Sequence, residues 1–158
     1  MKQKFQDAYF DIAERIGQLS TARKAQVGAI IVKDNRIISL GYNGTPSGWD
    51  NNCEDEDWPL WMRDSDFKDP AYVRLKTKPE VLHAETNAIA KLAKSRESAN
   101  GASLFCTHTP CLDCAKLIYQ SGITEVYIGQ RYDASKGNGE ELLKSLGVTL
   151  TFKGENNE

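Results

Sequence analysis

Two short segments, His83-Ala84-Glu85 and Pro110-Cys111-Leu112-Asp113-Cys114, restrict what this chain can fold into more than anything else in it. They supply one imidazole and two thiols, donors suited to a tetrahedral Zn²⁺ ion, and one ion can use them only where both segments converge. Cys111 and Cys114 lie one helical turn apart, so both sulfurs point the same way if a helix begins near Cys111. A helix N-terminus also favours the thiolate that a metal requires. Structural zinc sites close with four Cys or His ligands, whereas catalytic sites stop at three and leave a position for water. Here the motif stops at His83, Cys111 and Cys114. Glu85, two residues beyond His83, is close enough to reach a metal-bound water without occupying the metal.

Each piece has a plainer reading. A lone C-x-x-C can be a redox pair, and one histidine can be a satisfied core residue. Glu85 can be a carboxylate that complements a helix dipole. A redox pair, however, leaves the His-x-Glu unexplained. The joint pattern H-x-E then P-C-x-x-C is that of the zinc-dependent nucleobase deaminases.

Length and charge set the wider limits. A chain of 158 residues is long enough for one cored domain, expected over 1–158, and short for two. Hydrophobic content of 40% and charged content of 27% fit an ordinary globular protein. The net charge of −2 and pI near 5.8 speak against a nucleic-acid partner, which shows as a basic excess. A small substrate is expected instead. No apolar run approaches a membrane span, and residues 1–15 carry charges where a signal peptide would be apolar, so no membrane partner and a cytoplasmic location are expected. Cys53 and Cys106, outside the motif, read as free thiols. With only His83 and His108 in the chain, no second metal site is expected.

Apolar residues at helical spacing (Phe5, Ala8, Tyr9, Ile12, Ile16) predict a helix over 3–19. Apolar runs at 27–32 and 36–42, split by Lys33-Asp34-Asn35, predict a hairpin. Residues 43–80 form a loop-rich insertion without sustained periodicity. Next come a helix over 81–95, a strand over 102–107, a helix over 111–120 and a strand over 125–129. A short helix over 140–146 and a strand over 148–153 follow, with 156–158 as a frayed tail. Alternating strands and helices imply parallel pairing in the second half, the hairpin antiparallel pairing in the first. The sum is an α/β fold, a three-layer α/β/α sandwich with a mixed sheet of about five strands. Both ligand segments then open neighbouring helices whose N-termini converge on one pocket.

The chain resembles the cytidine and deoxycytidylate deaminase superfamily, and within it the deoxycytidylate (dCMP) group. The resemblance covers nearly the whole chain. It rests on Val27-Gly28-Ala29-Ile30-Ile31-Val32, Gly41-Tyr42-Asn43-Gly44-Thr45-Pro46-Ser47-Gly48, the two zinc segments with their flanks, and Ser121-Gly122-Ile123. It implies a cytidine deaminase-like fold, one catalytic Zn²⁺ per subunit and hydrolysis of dCMP to dUMP and ammonia, with Glu85 shuttling protons. By position it implies that Asn43 hydrogen-bonds the sugar and that the backbone N–H of Ala84 meets the pyrimidine carbonyl. It also implies activation by dCTP and inhibition by dTTP, with Mg²⁺ accompanying the triphosphate, and a homo-oligomer, by resemblance a hexamer. The resemblance places an effector pocket around Gly41, Tyr42, Gly44, Thr45, Gly48 and Asn87, at a subunit interface.

Three further candidates come from chemistry. Arg23 and Lys24 are the cations best placed for a 5′-phosphate, and Tyr132 could stack on the base. Each has a bland counterpart, a solvated charged turn or a surface turn, as Asn43 has in a strand-end turn. Core packing is the simplest reading of Trp49, Trp58 and Trp61. Two rivals remain: a tRNA adenosine or other cytosine or nucleoside deaminase on the same fold, and a non-catalytic zinc-stabilised nucleotide-binding protein. The Gly-Tyr-Asn-Gly-Thr-Pro segment and the acidic balance disfavour the first, and Glu85 the second.

Overall fold

A computed structural model describes residues 1–133 and 136–155; the tail expected at 156–158 lies outside them. The elements are α1 (Gln3–Gly17), β1 (Gly28–Lys33), β2 (Arg36–Tyr42), β3 (Glu54–Asp57), α2 (Leu60–Arg63) and a 3₁₀ turn at Pro70–Tyr72. Then follow β4 (Arg74–Thr77), α3 (Ala84–Leu92), β5 (Ser103–His108), α4 (Leu112–Gln120), β6 (Glu125–Gln130), α5 (Glu140–Ser145) and β7 (Thr149–Phe152).

β1 and β2 pair antiparallel through Asp34-Asn35, whose φ values of 50° and 57° give the left-handed turn that suits the twist of a two-residue hairpin. The sheet order is β2-β1-β5-β6-β7, antiparallel from β2 to β5 and parallel from β5 to β7. This is the mixed five-stranded α/β sheet expected from the sequence.

The central strands are buried on both faces, and their period-two alternation deals side chains to two cores. Ala29, Ile31, Leu104, Cys106, Val126 and Ile128 face α3, α4 and α5, packing with Ala88, Leu92, Ala115, Ile118 and Leu143. Ile30, Val32, Phe105 and Tyr127 face α1 and meet Tyr9, Phe10 and Ala13. On that side Phe105 stacks on Tyr127 with ring centroids 4.3 Å apart, and Phe10 meets Phe105 edge-on at 5.4 Å. Burying each such side chain contributes about 1.5–3 kcal/mol.

One close approach fixes the site. A Cβ at Gly41 would lie 2.2 Å from the Ala84 carbonyl oxygen and 2.5 Å from Ala88 N, so α3 rests its backbone directly on β2. The Ser39 hydroxyl donates to the Ala88 carbonyl at 2.6 Å beside that contact.

The insertion departs from expectation. Where the sequence lacked periodicity, β3 and β4 form an antiparallel ribbon, Glu54 opposite Thr77 and Asp57 opposite Arg74, joined through α2 and the 3₁₀ turn. Glu-Asp-Glu-Asp against Arg-Leu-Lys-Thr carries charge on both faces, so an apolar alternation had nothing to mark. Among the described residues, no helix is long and apolar enough to cross a membrane.

Candidate active site

Both ligand segments sit where an extended chain turns into a helix. Leu82 bridges to Gly44, N–H to carbonyl in both directions at 2.8 and 3.1 Å, and His83 follows as the extended N-cap of α3. Cys111 is the extended N-cap of α4. The chain after β6 pins it, with Gly139 N–H donating to the Pro110 carbonyl and Leu112 N–H to that of Gly137. The sequence had begun these helices at 81 and 111. The cap geometry starts them later and turns both ligand residues into the space ahead of the helix ends.

The three ligands do converge. His83 Nδ1 lies 3.5 Å from Cys111 Sγ and 3.3 Å from Cys114 Sγ, and the three donor atoms fall within 4.8 Å of one another. Zinc with Zn–N near 2.05 Å and Zn–S near 2.3 Å sets N···S edges of about 3.5 Å in a tetrahedron. Distances and donor types therefore both fit the ion. The hydrogen bond from Cys114, then His83, pull the Cys111 thiol down to about 4, while Cys114 is pushed up by that same bond and by burial. A divalent cation bound between these donors takes the place of the thiol protons. His83 is raised, chiefly by its hydrogen bond to Cys111.

Glu85 stands in the first turn of α3, 4% exposed, with Oε2 3.7 Å from Cys114 Sγ. Burial raises its pKa, so the carboxyl holds a proton more readily than an exposed glutamate. The group sits beside the triangle without being part of it.

A cavity of about 820 Å³ opens above them. Its lining includes Lys24, Asn43, His83, Ala84, Glu85, Cys111 and Tyr132, so most of the sequence candidates for catalysis and substrate contact come together. Asn43 accepts from Val27 N–H at 2.8 Å and donates to the Ala25 carbonyl at 2.7 Å, tying the α1–β1 connection to the end of β2. Tyr132 meets His108 edge-on, centroids 5.5 Å apart.

Arg23 is not among the lining residues. Its guanidinium turns to Glu56 at 2.9 Å and lies 3.9 Å from Glu54. Of the effector candidates, Asn87 donates to the Tyr42 carbonyl at 3.0 Å, and Thr45 Oγ1 donates to the Asp50 carbonyl. Gly44 bridges to Leu82, and Gly48 (φ 92°) faces open space, whereas Gly41 is covered by α3.

Sequence reasoning missed His108, Glu54, Lys78 and the β4 cations Arg74 and Lys76, all on the cavity wall. His108 shares a 2.8 Å hydrogen bond with Thr107 and a 2.6 Å one with Gln130, and burial lowers its pKa. Its place just before the Thr109-Pro110-Cys111 run was the available signal. Scattered lysines carried none.

The model of the cytidine and deoxycytidylate deaminase zinc-binding region matches residues 3–130. The chain belongs to this family. It is 32% identical over 167 residues to the deoxycytidylate deaminase of Enterobacteria phage T4, covering 88% of this chain and 84% of that one. To the human deoxycytidylate deaminase it is 38% identical over 147 residues, 90% of this chain and 75% of that one. The dCMP deaminase of cyanophage S-TIM5, solved in complex with dCMP and dUMP, superposes with a TM-score of 0.79 at 40% identity. That match covers 96% of this chain and 98% of the other. The cytidine deaminase-like fold follows for this family member.

Proposed function

We propose that this protein hydrolyses dCMP to dUMP and ammonia. The observation that carries the proposal is the His83–Cys111–Cys114 triangle with the buried Glu85 carboxyl beside it, at one cavity. Kinship to deoxycytidylate deaminases, and to a neighbour solved with dCMP and dUMP, supports the substrate. Held by His83 Nδ1 and the two sulfurs, one zinc per subunit supplies a Lewis acid that brings the pKa of water near neutrality. Glu85 takes the proton of the water that attacks C4, holds it in its buried carboxyl, and delivers it to the adjacent ring nitrogen. The same carboxyl then takes the second proton from the new C4 hydroxyl and hands it to the amine, so that the C4–N bond breaks, ammonia leaves and the C4 carbonyl forms. The Ala84 N–H, a first-turn amide of α3 without an intrahelical acceptor, donates to the pyrimidine carbonyl. Asn43 keeps one amide hydrogen for the sugar beyond its two backbone bonds. Tyr132 walls the base, and Lys24 faces the 5′-phosphate.

Regulation belongs to the same reading. dCTP, with its Mg²⁺, activates and dTTP inhibits through the segment of Tyr42, Gly44, Thr45 and Gly48 with Asn87, while Gly41 seats α3 beneath it. Asn87 and Leu82 tie that segment to the start of α3, so an effector there bears on His83 and Glu85. A homo-oligomer, hexameric in this reading, is supported by the exposed Trp49, Leu60, Trp61, Phe67 and Tyr72 of the insertion. Four free cysteines accord with a cytoplasmic location. The deciding assay is ammonia release from dCMP, CMP, deoxycytidine and a tRNA, each with and without dCTP and dTTP. Turnover of dCMP, raised by dCTP and lowered by dTTP, is expected; turnover of tRNA alone would reverse the assignment.

A further inference from the structure

Two segments remote in sequence share one wall of the cavity: residues 20–27, between α1 and β1, and the β3–β4 ribbon. They meet at the dipeptide Cys53-Glu54, both members of which are buried. Glu54 is 2% exposed, and a carboxylate leaves water only where donors offset its desolvation. Its Oε1 accepts two consecutive backbone amides, Arg23 N–H at 3.0 Å and Lys24 N–H at 3.1 Å. Consecutive amides aimed at one oxygen form an anion-holding concavity, here filled from within the chain. On the other side the Cys53 carbonyl accepts the Lys78 N–H at 2.9 Å. Thr21 Oγ1 closes the seam by donating to the Asn51 carbonyl at 2.7 Å.

One buried dipeptide thus fixes the backbones of Lys24 and Lys78. Both lysines line the cavity, and among the described residues neither stands in an ion pair. Arg23, by contrast, is committed to Glu56. The wall therefore separates a cation spent on anchoring from cations left available to an anion in the cavity. Arg74, Lys76 and Lys136 line it too without an ion pair among the described residues, but Lys24 and Lys78 are the ones whose backbone amides this dipeptide holds.

We infer that Glu54 is a positioning residue for nucleotide selectivity: by gripping the amides of Arg23 and Lys24 it holds Lys24, with Lys78 set through Cys53, toward the 5′-phosphate of the substrate. The inference rests on the dCMP reading. Glu54 makes no contact with substrate and acts through the lysines.

Steady-state ammonia release from dCMP and from deoxycytidine tests it. Glu54→Asp keeps the charge but, one methylene shorter, cannot reach both amides. Its dCMP-to-deoxycytidine ratio of kcat/KM should fall about tenfold, with the loss in the KM for dCMP. Glu54→Gln retains a carbonyl oxygen for the amides and should hold the ratio within about threefold of wild type. Lys24→Ala should lower the ratio at least as far, and Glu54→Asp added to it should cost little more, because one residue works through the other. Equal losses on both substrates, an unchanged ratio in Glu54→Asp, or additive losses in the double variant would each overturn the inference. A wild-type protein that leaves dCMP intact would instead overturn the dCMP reading, before any variant is made.

Discussion

In the proposed reaction turnover depends most directly on Glu85, whose carboxyl is buried beside the ligand triangle and is there assigned the proton transfers. Glu85→Gln is nearly isosteric, so fold and metal content should persist while kcat for dCMP drops by about 10²–10⁴. Zinc content and ammonia release measured on one preparation check this; an active variant with full zinc would remove Glu85 from the proton path. A second residue-level prediction concerns acid. The Glu140 carboxyl is held below its ordinary 4.5, first by a hydrogen bond from Lys144 and then by one from Arg131. A carboxyl depressed in the folded state stabilises the fold above its unfolded pKa and stops doing so as pH falls through the folded value. Melting temperature should therefore decline below about pH 4.5, and Glu140→Gln should flatten part of that decline. At this scale the sequence was most legible where chemistry demands particular atoms in a particular spacing, as at His83, Glu85, Cys111 and Cys114. Arg23 was not legible. A basic residue near a site looks the same in sequence whether its guanidinium faces substrate or, as here, an acidic strand thirty-odd residues further on.

Among the elements, α3 and its seat on β2 decide whether the site exists at all. Gly41 is the point of contact, and a methyl group there would sit 2.2 Å from the Ala84 carbonyl oxygen, which backbone alone can relieve. Gly41→Ala should cost about 1–3 kcal/mol in denaturant unfolding and lower zinc affinity with it, since His83 and Glu85 move with the helix. Chemical denaturation alongside a zinc titration reads both; a destabilised variant that binds zinc as before would uncouple helix seat from site. The buried strands announced themselves because both their faces are apolar, and the α1 stripe because one face is. The β3–β4 ribbon stayed hidden for the converse reason. Its residues pair through backbone and alternate charges across the strands, Asp57 opposite Arg74 and Asp55 opposite Lys76, so no apolar period betrays it. Helix starts were misplaced by one to three residues because an extended N-cap, His83 or Cys111, carries no side-chain cap bond to mark it.

At the scale of the molecule, the ligand triangle works as a cross-link. It ties the start of α3, seated on β2, to the start of α4, which follows β5, and so fastens the antiparallel half of the sheet to the parallel half. The unfolded chain offers no such triangle, so metal affinity appears as folding stability. Zinc held at a thousandfold excess over its dissociation constant stabilises the native state by about 4 kcal/mol. For a chain of this size each kcal/mol shifts the melting temperature by roughly 2–4 °C. Chelation should therefore lower the melting temperature by roughly 8–16 °C and abolish ammonia release. One equivalent of Zn²⁺ per chain should restore both together. Cys111→Ser and Cys114→Ser should melt near the chelated wild type and respond weakly to added zinc, because a serine hydroxyl is a poor ligand where a thiolate is required. Should the chelated protein melt with the untreated one while activity alone is lost, the ion would be a catalytic group carried by an already rigid frame, and the stabilising half of this account would fall.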